Sequence, residues 1–384
     1  MIRALLQLIA AVGLAFLLIE VLAIGTAPAP ALVFEREATG TFMQHATTSL
    51  ETAPPTTIAT STPQKSPIKK AATKPKIAAL SAAVATTSDN EVHRVENPYP
   101  FPPLSTDTIN QSTRAALVNI FCQTQGGQLG SISGSGVIID PHGVILTNAH
   151  VAQYVLLSTQ PEVGLNCSIR TGSPAEIRWK VGVLYIPAAW VQLHAQDIVK
   201  SKPKGTGEYD YALLVIIGGA NGTSLPASFP FIPPDTREAI GFTSDSVLVA
   251  GYPAEFAGAN TQSFLYPSSV FTRIGDLLTF EENTVDLMSL GSIALAQSGS
   301  SGGAVVNLWG QLVGLVTTTS EGATTAEREL HAVTLSYINR DLISKTGLGL
   351  LDIIGSNPAA KSEDFMRNEA PALAKQIVHY LEAQ

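Results

Sequence analysis

From about Thr106 onward the chain is cut into short apolar runs by glycine, proline and polar turn residues. The runs are ALVNIFC, SGSGVIID, GVILTNAHV, YALLVII, SVLVAGY and AVVNLWGQLVGLVTTT. They are rich in Val and Ile and too brief for amphipathic helices. Strands punctuated this often predict an all-β sandwich or barrel. Gly310 and Gln311, between the last two runs, read as a hairpin turn. Helical patterns are few. Pro187–Ser201 is one, with proline near its start. APALAKQIVHYLEA near the end is another, with Leu373, Ile377 and Leu381 on one face. No repeat of solenoid period is present.

What precedes these strands is different in kind. Ile2 to Ile24 is almost wholly apolar, broken by Gln7 and Glu20 and preceded by Arg3. Such a run spans a bilayer as a helix, with its positive end kept in the cytoplasm. Residues 1–25 are therefore expected to be a transmembrane helix or signal anchor. A cleaved signal peptide, using the small residues around Ala27-Pro28-Ala29, is the alternative. Residues 26–104 form an Ala/Thr/Pro/Lys-rich stretch with little apolar periodicity, expected to be a disordered tether. Lys65, Lys69, Lys70, Lys74 and Lys76 within it read as solvated linker charges. The proline cluster Asn97–Leu104 leads into a folded domain over 105–350, and 351–384 is a tail holding the amphipathic helix. The domain is then extracytoplasmic, held at the cell membrane, or secreted if the leader is cleaved.

Charge and cysteine count narrow the chemistry. A formal net charge of −8 argues against nucleic acid as the main partner. Two cysteines without a C-x-x-C pair make a thiolate zinc site a poor fit, and no metal or other cofactor is expected. Export favours a Cys122–Cys167 disulfide, the alternative being two separate buried thiols.

The stretch SGSSGGAVVN, Ser298 to Asn307, carries most information. Packed glycines permit positive-φ turns whose N–H groups converge on an anion, and a serine among them is a candidate acyl-transfer nucleophile. The same residues satisfy G-x-S-x-G, but an α/β-hydrolase elbow needs its acid and histidine after the serine and crossover helices around it. A serine nucleophile needs a base. His150, in TNAHVA, has small neighbours. Asp210, in EYDYALLVI, stands at the mouth of an apolar strand and can hold the imidazole tautomer. Glu208 beside it reads as an exposed loop charge, and His142, His194, His331 and His379 as turn, helix or packing residues.

The order His150, Asp210, Ser301 is that of chymotrypsin-type triads. SGSGVIIDPHGVILTNAHV, YDYALL and GSSGGAVVNLWGQLVGL together resemble trypsin-like serine proteases of the bacterial HtrA/Deg type. The resemblance implies two antiparallel six-stranded β-barrels with few short helices and the triad between them. It implies an oxyanion hole at the N–H groups of Gly299 and Ser301, and protein or peptide substrates bound as a strand along Val316, Thr317 and Thr318. It also implies a pocket base near Leu295, where the lack of a carboxylate favours a small or medium aliphatic residue. Two features depart from the family. The stretch between His150 and Asp210 is long, and too little chain follows Leu350 for a PDZ domain. The expected function is a membrane-tethered, exported serine endopeptidase working through an acyl-enzyme. The alternative is a non-catalytic homologue that binds extended segments. A homo-oligomer is left open.

Overall fold

Among the described residues, strands β1 (Ala78–Ala79) to β14 (Leu330–Thr334) form two sheets. β2 (Leu117–Thr124), β3 (Ile132–Ile138), β4 (Val144–Thr147), β7 (Ala212–Gly219), β6 (Glu176–Tyr185) and β5 (Leu165–Thr171) close in that order into an antiparallel barrel. The second sheet runs β1, β10 (Leu277–Thr279), β11 (Leu287–Ser289), β14, β13 (Leu312–Thr319), β12 (Ala304–Asn307), β8 (Ser246–Gly251), β9 (Ser268–Arg273). The computed structural model describes residues 97–384 and the backbone of 78–79. It omits 125, 127–128, 201–202, 204, 256–263, 281–282, 321, 323, 325, 356, 384 and the side chains of 318–319.

The apolar runs are strands because period-two alternation sends their side chains into two different cores. In β2, Val118, Ile120 and Cys122 enter the barrel core, whereas Leu117 enters the layer shared by the two sheets. In β8, Leu248 and Ala250 join that shared layer, and Val247 and Val249 a third cluster on the opposite face. β12 divides likewise, with Ala304 and Val306 against Val305. Each fully buried Val, Leu or Ile here contributes about 1.5–3 kcal/mol. Burial on both faces explains why these strands read as continuous apolar runs.

Three expectations are revised. Only the first sheet is a six-stranded barrel. The second has a linear order, because the outer edge of the short β10 pairs with β1 instead of β9. Pro187–Ser201, read as one helix, divides into a helix at Ala188–His194 and a 3-10 turn at Ala195–Val199. Asn97–Leu104, assigned to the end of the disordered tether, is seated on the second sheet. Asn307 Nδ2 donates to Tyr99 Oη (2.8 Å), Trp309 Nε1 to the Phe101 carbonyl (3.0 Å), and Leu104 N to the Leu308 carbonyl (2.8 Å). The expected turn at Gly310 is present, with a φ of 74°. The expected helix near the C-terminus, Ala370–Glu382, buries Leu373, Ala374, Ile377 and Leu381 in the barrel core. The expected anchor (1–25) and, apart from 78–79, residues 26–96 of the expected tether lie outside the described residues. Among the described residues no helix is long and apolar enough to cross a membrane.

The expected disulfide is present. Cys122 and Cys167 face each other directly across β2 and β5, 45 residues apart in sequence. Replacing both with Ala is expected to destabilise the fold by about 3–4 kcal/mol in the chain-entropy account. Urea unfolding under non-reducing conditions checks this; an unchanged midpoint would mean that the bridge contributes nothing to stability.

Candidate active site

His150 does not end a strand, as its sequence context had suggested. β4 stops at Thr147, Asn148 takes the N-cap position with extended backbone, and His150 lies in the first turn of the helix Ala149–Leu157. A helix start leaves backbone N–H groups without intrahelical acceptors. The Asp210 carboxylate fills that need: Oδ1 accepts the His150 backbone N–H at 3.0 Å, and Oδ2 lies 2.7 Å from the ring Nδ1. One carboxylate thus takes one N–H of the helix start and fixes the imidazole through Nδ1, leaving Nε2 for chemistry.

Asp210 is placed by its own local backbone. Tyr209 adopts a left-handed φ of 57°, its N–H donating to Tyr337 Oη at 3.0 Å. The Asp210 N–H donates to the Gly207 carbonyl (3.1 Å), and Asn148 Nδ2 to the Asp210 carbonyl (2.8 Å). From the second sheet, Thr317 Oγ1 donates to Asp210 Oδ2 at 2.9 Å. Burial alone would raise the carboxyl pKa. The His150 ring, its backbone N–H and the Thr317 hydroxyl outweigh that and hold it below the usual value. For His150 the balance runs the other way. Burial disfavours the imidazolium, but the neighbouring Asp210 charge and hydrogen bond prevail, and the pKa is raised. The imidazole is about one-third exposed, facing the cleft, while Asp210 is buried.

Ser301 sits in the loop before β12. Gly299 and Gly302 adopt φ of 93° and 84°. At Gly302 glycine is obligatory, since a Cβ there would lie 2.0 Å from the Ser135 carbonyl oxygen. Gly302 N donates to the Val316 carbonyl (2.8 Å), tying the loop to β13. Among the described residues, the N–H groups of Gly299 and Ser301 donate to no protein acceptor, and Ser301 Oγ makes no direct hydrogen bond to His150. Nucleophile–base contacts of this kind often tighten only when substrate is bound.

His150, Asp210, Gly299, Ser301, Val316 and Thr317 all line one cleft of about 690 Å³. The other sequence expectations need amendment. Leu295 is buried in the inner cluster of the second sheet and does not line the cleft; Val316, Leu330 and Arg328 do. Thr317, expected to meet substrate, turns its hydroxyl to Asp210. β12 pairing reaches β13 only as far as Leu315, so among the described residues no strand pairs on that side with the backbone of 317–319, with Thr318 at its centre. Glu208 is half-buried at the cleft rim, not fully exposed. His194 also lines the cleft and has a carboxylate partner after all, with Nδ1 2.8 Å from Asp197 Oδ2.

Ser135 was missed. Its hydroxyl donates to the Gly299 carbonyl (2.6 Å) and accepts the Tyr252 N–H (2.7 Å), while its N–H donates to the Ser301 carbonyl (2.8 Å). The sequence offered little signal, because β3 reads ISGSGVI and holds a second serine, Ser133, two residues earlier. Among the described residues, no group of three His, Cys, Asp or Glu side chains is arranged to hold a metal.

Residues 134–315, from β3 into β13, match the family model of the trypsin-like peptidase domain. No curated relative matches the chain. Two solved structures of the HtrA-type protease AlgW with a tripeptide are similar at 18% identity over 64% of this chain, with a TM-score of 0.39. The match spans 65% of the length of those AlgW chains. The Rv3671c protease from M. tuberculosis, in its active form, is 21% identical over 69% of this chain and 95% of its own, also with a TM-score of 0.39. The matched span contains His150, Asp210 and Ser301, and the chain accordingly carries a trypsin-like peptidase domain.

Proposed function

We propose that the protein is a serine endopeptidase that cleaves peptide bonds through Ser301, His150 and Asp210. The observation that carries this reading is the 2.7 Å contact of His150 Nδ1 with the buried Asp210, in the same cleft as a serine flanked by two N–H groups without acceptors. In this mechanism Ser301 Oγ attacks the scissile carbonyl and His150 Nε2 takes its proton. Asp210 stabilises the imidazolium without being protonated. The developing oxyanion accepts the N–H groups of Gly299 and Ser301. Collapse breaks the C–N bond, His150 protonates the leaving amine, and water hydrolyses the acyl-enzyme by the same steps in reverse.

The open backbone of 317–319 suits an extended substrate strand. Val316 and Leu330 give the nearby wall an apolar character, and Glu255, the carboxylate beside it, is paired with Arg328. Both features favour an aliphatic residue over a basic one before the cleaved bond. The apolar N-terminal run and the disulfide support export and a membrane tether. N-terminal sequencing of the native protein tests the tether, and a mature start near Ala29 would replace it with a secreted form. The alternative, a non-catalytic binding homologue, predicts no reaction with a serine-directed phosphonate.

Ser301→Ala and His150→Ala are each expected to lower turnover by on the order of 10⁴–10⁶ with the fold retained. Phosphonate labelling of wild type but not of Ser301→Ala, together with peptide hydrolysis assays, is the measurement. Near-normal turnover in the purified Ser301 variant would overturn the mechanism.

Asp210→Asn is expected to cost about 10⁴ in turnover by leaving the wrong imidazole tautomer, whereas Glu208→Gln is mild. The reverse ranking would reassign the acid.

The pH profile follows from the raised His150 pKa. His150 accepts a proton only when neutral, so kcat/KM is expected to fall on acidification with a midpoint above the ordinary imidazole value. A midpoint at or below that value would show that Asp210 does not hold the charged form.

A further inference from the structure

The loop that presents Gly299 is held from outside the triad. Glu255 Oε2 accepts both the Ser298 backbone N–H (3.1 Å) and Arg328 Nη1 (2.7 Å), and Glu255 Oε1 accepts Arg328 Nη2 (3.0 Å). The Ser298 carbonyl accepts the backbone N–H groups of Ala254 (2.8 Å) and Glu255 (3.2 Å). Both backbone polar groups of the residue immediately before Gly299 are therefore fixed by one short segment. Arg328 extends the contact to a third piece of chain, since its Nε donates to the Gly322 carbonyl at 3.0 Å.

This arrangement bears on catalysis through the orientation of one peptide. The Gly299 N–H belongs to the Ser298–Gly299 peptide, whose oxygen is the Ser298 carbonyl held by Ala254 and Glu255. Because the peptide is planar, fixing its oxygen fixes the direction of its N–H. At Gly299 a Cβ would come within 2.7 Å of the Ala254 nitrogen and the Tyr252 carbonyl oxygen, so the loop lies directly on the 252–255 segment. The bidentate pair supplies the rigidity, since a guanidinium fork meets a carboxylate in a defined plane. Glu255 is about one-quarter and Arg328 one-fifth exposed, so both are partly shielded from solvent.

We propose that Glu255 and Arg328 are positioning residues that hold the Ser298–Gly299 peptide with its N–H aimed into the oxyanion site. The inference rests on the peptidase reading above. It assigns to the pair a role in stabilising the transition state, distinct from the bearing of their charges on which substrate residue the wall accepts. Glu255→Leu removes both the charge pair and the acceptor for Ser298 N–H. Glu255→Gln keeps a carbonyl acceptor and loses the charge, and Arg328→Lys keeps a charge and loses the fork.

The test measures kcat and KM on a chromogenic peptide for the full chain. Alongside these it measures the inhibition constant of a peptide aldehyde, whose adduct with Ser301 places a tetrahedral oxygen in the oxyanion site, and the thermal unfolding midpoint. By analogy with loss of an oxyanion donor, kcat is expected to fall ~100-fold in Glu255→Leu and ~10-fold in Glu255→Gln and Arg328→Lys. KM should stay within about twofold, and aldehyde affinity should weaken in step with kcat. Unchanged kcat, or a rise in KM alone, overturns the proposal, as does a loss of kcat with aldehyde affinity intact. If Glu255→Leu fails to fold, the same readouts on the two milder variants decide the question. A wild-type chain that neither reacts with a phosphonate nor cleaves peptide overturns the peptidase reading, and this inference with it.

Discussion

The hydroxyl of Ser135 is the point at which the two sheets become one site. It lies at a fully buried position on β3 of the barrel, yet both of its hydrogen bonds cross to the second sheet, to the Gly299 carbonyl and the Tyr252 N–H. Its own backbone N–H holds the Ser301 carbonyl. A buried hydroxyl must be satisfied, and here satisfying it fixes the separation of β3 from the loop carrying Ser301. β3 continues through a turn into β4, and β4 ends at the helix carrying His150. The placement of His150 relative to Ser301 is thus transmitted through strands that cannot stretch.

The same coupling runs back from the other side. Asp210 enters from the barrel, and Thr317, on the second sheet, donates to it. The carboxylate is ionised despite its burial because a helix N–H, an imidazole and a hydroxyl converge on it. No one of these donors comes from the same run of chain as the acid. The electrostatic setting of His150 is a property of the packed interface between the sheets, and neither sheet has it alone.

Parts of this were legible in the sequence because they depend on local pattern. Strands β2, β3, β4, β7, β8, β12 and β13 follow from apolar runs that period-two alternation can bury twice, whereas β6 and β9, largely unburied, lie in no such run. The turn at Gly310 and the amphipathic helix carrying Leu373, Ile377 and Leu381 are equally local. His150, Asp210 and Ser301 stood out because an imidazole, a strand-mouth carboxylate and a glycine-flanked serine have few joint explanations. Leu295 went astray because an apolar residue near the nucleophile serves a pocket floor or a core equally well, and only packing chooses. The second barrel went astray because closure depends on which edge finds a partner, and β1 comes from a stretch that composition alone marks as tether.

By itself, then, the sequence determined the sheet-rich character and set out His150, Asp210 and Ser301 as candidates in that order along the chain. These rest on side-chain size, alternation and backbone freedom, which act over a few residues. Only the tertiary structure decided that His150 opens a helix and that the Thr317 hydroxyl donates to Asp210. It also decided that Ser135 joins the halves and that Glu255, paired with Arg328, reaches the loop before Ser301. Those relations are hydrogen bonds between residues far apart in the chain, with Ser135 and Gly299 164 positions apart. A buried donor must find an acceptor, but which one it finds is set by how the sheets pack, and no pattern of neighbours encodes that.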